Sequence, residues 1–333
     1  HLRVDGEFLP TSGFPRIDRF KEHTIELPVA DGVVDPANEA WLRSQLGKAL
    51  EIGKGQVHVL HQMEGLAQAM ADGTSTVGLG KAIALESGLP ILAIPTTYAG
   101  SEMTSVYGLT ENGIKRTGKD VRVLPKTVIY DPELSATLPV ELSVTSGMNA
   151  IAHAAEGLYA QDGNPVMSLI AEEGIRAMAE GLKLILENPE DLDARSDCLY
   201  GAWLCSTVLG NVGMALHHKL CHTLGGSFNL PHAPTHTIVL PHAISYNSEA
   251  ALDAAARIVR ALGGKSASAG QALYDLSKSL GAPLALKSLG VNEADMDRAT
   301  EIALANPYWN PRPIERGAIR ELLQNAYEGN RPV

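Results

Sequence analysis

The stretch HHKLCHTLGGSFNLPHAPTH, residues 217–236, holds five of the chain's 11 histidines. His218 and His222 are four residues apart in a helical pattern, so their side chains share one face of a predicted helix. His232 and His236 repeat that spacing after a pair of glycines that favours a turn. Any one of these histidines alone is better explained as a packed or capping group. Together they predict a site for metal binding or proton transfer.

A second stretch, SGMNAIAHAAEGLYA at residues 146–160, places Asn149 and His153 on one face of another predicted helix. Three histidines and one carboxylate form a common Zn²⁺ or Fe²⁺ site. Position 149, however, offers an amide oxygen, which is neutral and a weak ligand for these metals. The sequence therefore favours no metal. If one binds, the predicted ligands are His153, His218 and His232 with Asn149.

Composition excludes several classes of protein. The 333 residues carry 27 basic and 38 acidic side chains, a net charge of −11, which argues against nucleic acid as a partner. A small anionic substrate remains compatible, since local cations dominate a pocket. The sequence has no apolar run of about 18 residues, so we expect no membrane span. Three cysteines without paired spacing predict a chain of the reducing cytoplasm.

The pattern of apolar residues changes near position 140. Before it, a turn and helix over 73–85 and strands within 89–97 and 127–139 predict an α/β layer with a parallel sheet. After it, helical periodicity dominates. We therefore predict an α/β domain over 1–140, with atypical first ~70 residues, and an all-helical domain over 141–333. The predicted helical stretches are 141–160, 165–186, 194–224, 250–262, 267–280, 293–304 and 313–327.

Two small-residue loops in the α/β region resemble phosphate-binding loops. DGTSTVGLGK, residues 72–81, precedes a predicted helix, and PTTYAGSE, residues 95–102, follows a predicted strand. Small residues let backbone N–H groups approach a phosphate, and a helix N-terminus favours negative charge. Ordinary turns with helix caps give the same pattern. The candidate cofactor contacts are Gly73, Thr74, Ser75, Thr96, Thr97 and Ser101, whereas Lys81 is expected to be solvated.

IPTTYAGSEMT, SGMNAIAHAAEGLYA and the histidine stretch resemble the iron-containing alcohol dehydrogenase family, and within it the maleylacetate reductase branch. The resemblance runs from about Thr74 to the C-terminus. It implies a dehydroquinate synthase-like fold, with an N-terminal dinucleotide-binding α/β domain followed by an all-α domain. It also implies NADH or NADPH as cofactor and a homodimer. One departure is Asp72-Gly73-Thr74-Ser75, where the family has Gly-Gly-Gly-Ser at the pyrophosphate.

The resemblance further implies reduction of the conjugated C=C bond of maleylacetate to give 3-oxoadipate, a step in the breakdown of aromatic compounds. Metal-binding members of the family use an Asp and three His, and an Asn at position 149 fits the reductase branch. A substrate with two carboxylates is suited to protonated histidines. We expect His153, His218 and His232 to bind it as donors and His222 to donate the proton, with His236 as the alternate.

Three further residues are candidates beside the substrate or cofactor. Arg312 is expected either to pair with a substrate carboxylate or to be an ordinary surface arginine. Tyr98 and Lys115 are expected to border the nicotinamide and the cofactor, Lys115 being otherwise solvated. Two alternatives remain open: a metal-dependent alcohol dehydrogenase of the same superfamily, and a non-catalytic binding subunit.

Overall fold

The computed structural model describes residues 2–4, 7–9, 25–26, 44, 48, 76–111, 114–306 and 308–333. The chain divides into two compact units, His1–Gly73 and Thr74–Val333. The predicted division at residue 140 stays a prediction. In the first unit, β1 (Leu2–Val4) pairs antiparallel with β2 (Glu7–Leu9) and with β3 (Ile25–Glu26).

The second unit begins with an α/β region. Helix α1 (Thr76–Ser87) leads to β4 (Leu92–Ala93), which pairs in parallel with β7 (Thr127–Val128). Between them lies an antiparallel hairpin of β5 (Val106–Glu111) and β6 (Ile114–Lys119). The short parallel pair agrees with the predicted α/β layer. The hairpin was not predicted, although Asn112-Gly113 is the dipeptide that most favours such a connection.

The rest of the chain is helical, as predicted. Ten helices follow β7 in the described residues: α2 (Pro132–Ser135), α3 (Val140–Gly157), α4 (Pro165–Glu187), α5 (Leu192–Asn211), α6 (Leu216–Phe228), α7 (His232–Asn247), α8 (Leu252–Ala261), α9 (Ala269–Ser279), α10 (Asp295–Leu304) and α11 (Arg316–Glu328).

Small residues let α4 and α5 pack closely. A Cβ atom at Gly181 would lie 2.7 Å from the Sγ atom of Cys198, and one at Gly201 would lie 2.7 Å from the backbone nitrogen of Met178. Both contacts are shorter than real Cβ atoms tolerate. The two glycines therefore set the separation of α4 and α5, and α3 packs on this pair to complete the larger of two apolar clusters.

Helix α7 lies between the two apolar clusters. Leu240 and Ile244 belong to the first cluster, whereas Ile238 and Val239 belong to the second. A helix that is buried on several sides has no polar face, and α7 also contains Pro241. Periodicity therefore gave no amphipathic signal here, and the sequence analysis omitted this helix.

The predicted helix over 194–224 is two helices. Helix α5 ends at Asn211, α6 begins at Leu216, and the two are bent by 95°. The glycine pair before His232 is not a turn either, because α6 continues to Phe228 and ends where Asn229 adopts a left-handed φ of 53°. Among the described helices, none alone has the length and apolar character needed to cross a membrane, although bent α5 and α6 pass that test together.

His242 of α7 gives a pH prediction. Burial lowers its pKa to about 4, below the ordinary value near 6.5 that it regains on unfolding. Between these values the unfolded chain binds the extra proton, so stability falls as the pH falls from about 6.5 to 4. We expect His242→Gln to reduce this acid-induced loss of unfolding free energy by about 2–3 kcal/mol. Denaturant unfolding of both proteins at pH 4.5 and 8 measures it. An equal acid loss in the two proteins contradicts the assignment.

Candidate functional site

Three helices bring the predicted histidines together. His153 comes from α3, His218 and His222 from α6, and His232 and His236 from α7. The ring centroids of His153 and His218 are 5.3 Å apart, those of His218 and His236 are 5.0 Å apart, and those of His232 and His236 are 4.2 Å apart. The sequence prediction of a single histidine cluster therefore agrees with the packing of these helices.

The cluster has a buried interior and an exposed edge. His153, His218 and His236 are buried, whereas His222 and His232 are exposed. The His222 ring lies 6.0 Å from the His218 ring, so the edge is close to the interior. A proton or small molecule can therefore enter from the His222 and His232 side.

A carboxylate that the sequence analysis missed lies behind this cluster. Glu156 of α3 is fully buried, and its Oε2 atom lies 2.7 Å from the Nδ1 atom of His218. The same carboxylate accepts hydrogen bonds from the backbone N–H groups of Ala215 and His217 at 3.0 and 2.8 Å. Glu156 thus caps α6 and holds His218. Its position three residues after His153 in an apolar helix was the available signal, because buried carboxylates are rare unless paired.

The charge states follow from burial and from the neighbouring rings. Burial and then the charge of His218 hold the pKa of His153 well below its ordinary value, and the pKa of His217 is lowered to about 3 for the same reasons. Burial likewise lowers the pKa of His236. Burial by itself would raise the pKa of Glu156, but the hydrogen bond and charge of His218 outweigh it and hold that pKa at about 2.

Burial therefore favours the neutral form of His153 and His236 near pH 7. The expected role of His153 as a donor to the substrate stays a prediction. A neutral imidazole still offers one N–H donor and one acceptor. Among the described residues, four buried atoms of the cluster have no hydrogen-bond partner: Asn149 Oδ1, His153 Nδ1, His218 Nε2 and His236 Nε2. Such atoms are rare in folded proteins and indicate a place where a ligand or water binds.

His217 and His236 form a hydrogen-bonded pair inside the cluster. The Nε2 atom of His217 lies 3.0 Å from the Nδ1 atom of His236, and Cys221 Sγ lies 3.7 Å from the same nitrogen of His217. Ligand atoms of these three buried residues lie within 4.8 Å of one another, which is compatible with a metal. The two nitrogens already satisfy each other, however, so we interpret the group as packing that orients His236.

The loop that follows β4, which contains Tyr98 and Gly100, contacts the histidine cluster directly. Gly100 has a φ of +89°, and a Cβ atom there would lie 2.6 Å from Ser206 Oγ and 3.3 Å from His153 Nδ1. The backbone N–H of Tyr98 donates to Ser146 Oγ at 2.9 Å. The loop that follows β4 is thus fixed against α3, next to His153.

A methyl group at Gly100 should push this loop away from Ser206 on α5 and from His153 on α3. We expect Gly100→Ala to lower the free energy of unfolding by more than about 1 kcal/mol, because both the backbone conformation and the space are incompatible with a side chain. Gly88→Ala is the matched control, since Gly88 has a φ of +68° but no atom within 4 Å of its Cβ position. Thermal unfolding compares the two. An equal loss in both would show that strain alone matters and that the contact with His153 does not.

Comparison with known proteins identifies this arrangement. A family model described as the C-terminal part of the Fe-containing alcohol dehydrogenase family matches residues 143–327, and one described as iron-containing alcohol dehydrogenase matches residues 47–132. Maleylacetate reductase of Burkholderia cepacia is 64% identical over 260 residues, which are 78% of this chain and 73% of that protein. The chain belongs to the iron-containing alcohol dehydrogenase family.

Solved structures agree with this assignment. Maleylacetate reductase from Agrobacterium tumefaciens superimposes with a TM-score of 0.77 at 49% identity, covering 90% of this chain and 89% of that one. Iron-containing alcohol dehydrogenase from Corynebacterium glutamicum gives a TM-score of 0.76 at 39% identity, covering 90% and 87% of the two chains. The predicted fold of an iron-containing alcohol dehydrogenase is confirmed.

The N-terminal segment matches a different family. Residues 1–63 match a model described as the UvrA interaction domain, which overlaps the iron-containing alcohol dehydrogenase match at residues 47–63. The sequence shows no clear dinucleotide-binding glycine motif there. The iron-containing alcohol dehydrogenase match begins at residue 47, earlier than the resemblance that the sequence shows from about Thr74.

The family resemblance predicts metal ligands at Asn149, His153, His218 and His232, and this assignment stays a prediction. The set contains no anion, because the amide of Asn149 is neutral, and the carboxylate of Glu156 already accepts hydrogen bonds from His218 and from the start of α6. Without a negative ligand a divalent cation loses several kcal/mol of electrostatic stabilisation. The four positions therefore fit a divalent metal poorly.

The candidate cofactor contacts are only partly described. Thr96 and Thr97 are exposed and Ser101 is half-buried in the loop after β4, at the carboxyl end of the parallel pair, where nucleotides bind in open α/β sheets. Gly73, Thr74 and Ser75 lie outside the described residues, as does the side chain of Lys115. The role of this loop in cofactor binding stays a prediction.

Two predicted substrate contacts lie elsewhere. Tyr98 is fully buried, and its phenol lies beside Arg195 and Cys198 in the helical core. Arg312 stacks on the ring of Tyr246 at 4.3 Å and donates to the carbonyl of Tyr246 at 3.1 Å. Tyr246 follows His236 by ten residues on α7, about 15 Å along the helix. These partners lie outside the histidine cluster, and the roles of Tyr98 and Arg312 toward the cofactor or substrate stay predictions.

Lys81 is buried rather than solvated, so that expectation was wrong. Its ammonium donates to the carbonyl and hydroxyl of Thr104, both at 2.9 Å, and to the carbonyl of Val106 at 2.7 Å. Burial lowers its pKa to about 8, and the negative charge of Glu102, which raises this pKa, offsets burial only in part. Lys81 therefore links α1 by hydrogen bonds to Thr104 and Val106, which follow the 95–102 loop. A helical lysine next to apolar residues gives no sign in sequence that it points inward.

Proposed function

We propose that this chain catalyses the NADH- or NADPH-dependent reduction of maleylacetate to 3-oxoadipate. The observation that carries the proposal is the identity of 54–64% with maleylacetate reductases over 260 residues, such as those of Burkholderia cepacia and Pseudomonas aeruginosa. The matched region includes the whole histidine cluster and Asn149. The proposal extends to a role in the breakdown of aromatic compounds, in the cytoplasm and as a homodimer. Three buried free thiols support the reducing compartment.

The reaction has two steps, the addition of a hydride and the addition of a proton. A bound nicotinamide would supply hydride to the carbon β to the ketone, which would leave an enolate on the ketone oxygen. A proton then adds to the α carbon and restores the ketone. Hydrogen-bond donors at the oxygen stabilise the enolate. The neutral rings of His153 and His236 each supply one N–H, and the exposed ring of His232 lies 4.2 Å from that of His236.

His222 is the residue we assign as proton donor. It lies at the exposed edge of the cluster, one helical turn from His218, so it exchanges protons with solvent between turnovers. His236 is the alternate, but its Nδ1 atom is already paired with His217. Only its Nε2 atom faces the remaining space. A proton delivered from His236 would have to be replaced through the buried pair.

Asn149 suits this substrate better than an aspartate does. Its Oδ1 atom is buried, and a carboxylate there would repel a dianion inside a site of low dielectric. An amide keeps the shape and removes the charge. The same change weakens a metal site, so the absence of a carboxylate at this position supports the reductase over a metal-dependent alcohol dehydrogenase.

A second candidate function rests on the first 63 residues. Their match to the UvrA interaction domain favours a binding subunit that retains the helical part without catalysis. The two functions differ in whether the chain binds the cofactor. Fluorescence of NADH and thermal shift in the presence of NADH and NADPH separate them.

The decisive experiment is consumption of NADH or NADPH with maleylacetate, on protein whose metal content has been measured. Turnover without a stoichiometric metal supports the reductase. A full equivalent of iron or zinc with activity only on simple alcohols or aldehydes would replace it by the metal-dependent enzyme. Lack of both cofactor binding and turnover would favour the binding subunit.

A further inference from the structure

We propose that Glu156 is a positioning residue that fixes His218 in the Nδ1–H tautomer and directs the bare Nε2 atom into the histidine cluster. The carboxylate and the imidazole lie 2.7 Å apart, and both side chains are buried, at 0% and 8% exposure. The tautomer follows from which atoms donate and which accept hydrogen bonds.

The carboxylate can only accept hydrogen bonds. Its Oε2 atom receives the backbone N–H of Ala215 at 3.0 Å and that of His218 at 3.3 Å, in addition to the His218 ring. Its Oε1 atom receives the N–H of His217 at 2.8 Å and the hydroxyl of Tyr159 at 3.2 Å. Five donors thus surround one ionised acceptor. Nδ1 of His218 must carry a proton to join them.

The proton on Nδ1 determines what the other nitrogen does. In a neutral ring Nε2 then has a free lone pair, and in the described protein that atom is buried without a partner. It faces the cluster that also contains His153, His222 and His236, whose rings lie 5.0–6.0 Å away. Nε2 of His218 is therefore presented to whatever binds there, as a proton acceptor or, once protonated, as a donor.

The backbone contacts make the orientation rigid. Ala215 is the residue before α6, and His217 and His218 lie in its first turn, so Glu156 satisfies N–H groups that no helical carbonyl can reach. His153 and Glu156 are three residues apart on α3, one turn of one helix. Helix α3 thus supplies one imidazole directly and orients a second through a carboxylate.

Imidazole-nitrogen NMR of the histidine-labelled protein tests the tautomer without substrate. His218→Gln assigns the His218 signals by their loss. At a pH high enough for the ring to be neutral, we expect wild-type His218 to carry its single proton on Nδ1. Glu156→Gln should keep that tautomer, because its amide oxygen still accepts from Nδ1. Glu156→Ala should lose the single tautomer, and Glu141→Ala, at an exposed position of the same helix, should change nothing.

A neutral wild-type ring with its proton on Nε2, or an unchanged Nδ1–H tautomer in Glu156→Ala, would overturn the proposal. Should the alanine variant fail to fold, the wild-type tautomer decides alone. A kinetic arm rests on the proposed function: we expect kcat of Glu156→Ala to fall about 10–100-fold, with partial recovery in Glu156→Gln. If the wild type proves inactive, the proposed function fails, whereas the tautomer result stands by itself.

Discussion

Replacing Arg195 by methionine is expected to lower the free energy of unfolding by about 4 kcal/mol. Arg195 is fully buried. Its guanidinium donates to the carbonyl of Pro189 at 3.0 and 2.8 Å, to the carbonyl of Leu138 at 3.0 Å and to Ser143 Oγ at 2.9 Å. Methionine keeps the apolar stem but leaves the buried Ser143 Oγ and the carbonyls of Leu138 and Pro189, which are less buried, without these donors. Each such group costs about 1–3 kcal/mol.

The control is Arg176→Met on α4. Arg176 forms ion pairs with Glu173 and Glu180, but all three side chains are well exposed. Exposed pairs contribute about 0–1 kcal/mol. Denaturant unfolding measures both variants, with the slope checked for a change of unfolded state. If Arg195→Met costs no more than Arg176→Met, water replaces the lost donors and the buried guanidinium is not what holds this region.

Arg195 also matters for the site, through the start of α3. Leu138 precedes α3 and Ser143 lies in its first turn, while Arg195 itself is on α5. The guanidinium therefore fixes the end of the helix that carries Asn149, His153 and Glu156 further along. We expect Arg195→Met to affect the histidine cluster only indirectly, through any shift of α3.

The histidine cluster was the part of the site that the sequence predicted well. Residues four apart on a helix share a face whatever the tertiary structure, so the pairs Asn149/His153 and His218/His222 kept their geometry. The helical region was predicted for the same reason. Periodicity is a local property, and most of these helices have one apolar face.

The failures came from properties that are not local. Helix α7 is buried on several sides, so it has no polar face to reveal it. The partner of His218 is Glu156, which is 62 residues away, and spacing cannot show such a pairing. Lys81 and Arg195 are cations whose whole side chains, charged groups included, are buried, because backbone carbonyls from other segments accept their hydrogen bonds. From sequence alone, charged residues such as Glu156, Lys81 and Arg195 would be placed at the surface.

Changing Asn149 to aspartate is expected to convert the site from substrate binding toward metal binding. The side chain is 2% exposed, so a negative charge there is poorly screened. It would complete the set of one Asp and three His that the family resemblance implies, with His153, His218 and His232. We expect affinity for Zn²⁺ or Fe²⁺ to rise about 100-fold, corresponding to roughly 3 kcal/mol of added attraction.

The same charge should repel the anionic substrate that we propose. We expect kcat/KM for maleylacetate to fall about 100-fold in Asn149→Asp, with most of the loss in metal-free protein, because no cation then offsets the carboxylate. The control is Asn164→Asp, which adds the same charge at the exposed cap of α4, where aspartate caps as well as asparagine. Metal analysis after dialysis and steady-state kinetics measure both variants. If Asn149→Asp binds no more metal than Asn164→Asp and turns over maleylacetate as well, then the neutral amide is not what separates the two chemistries, and the reason for an asparagine at this position must lie in packing rather than in charge.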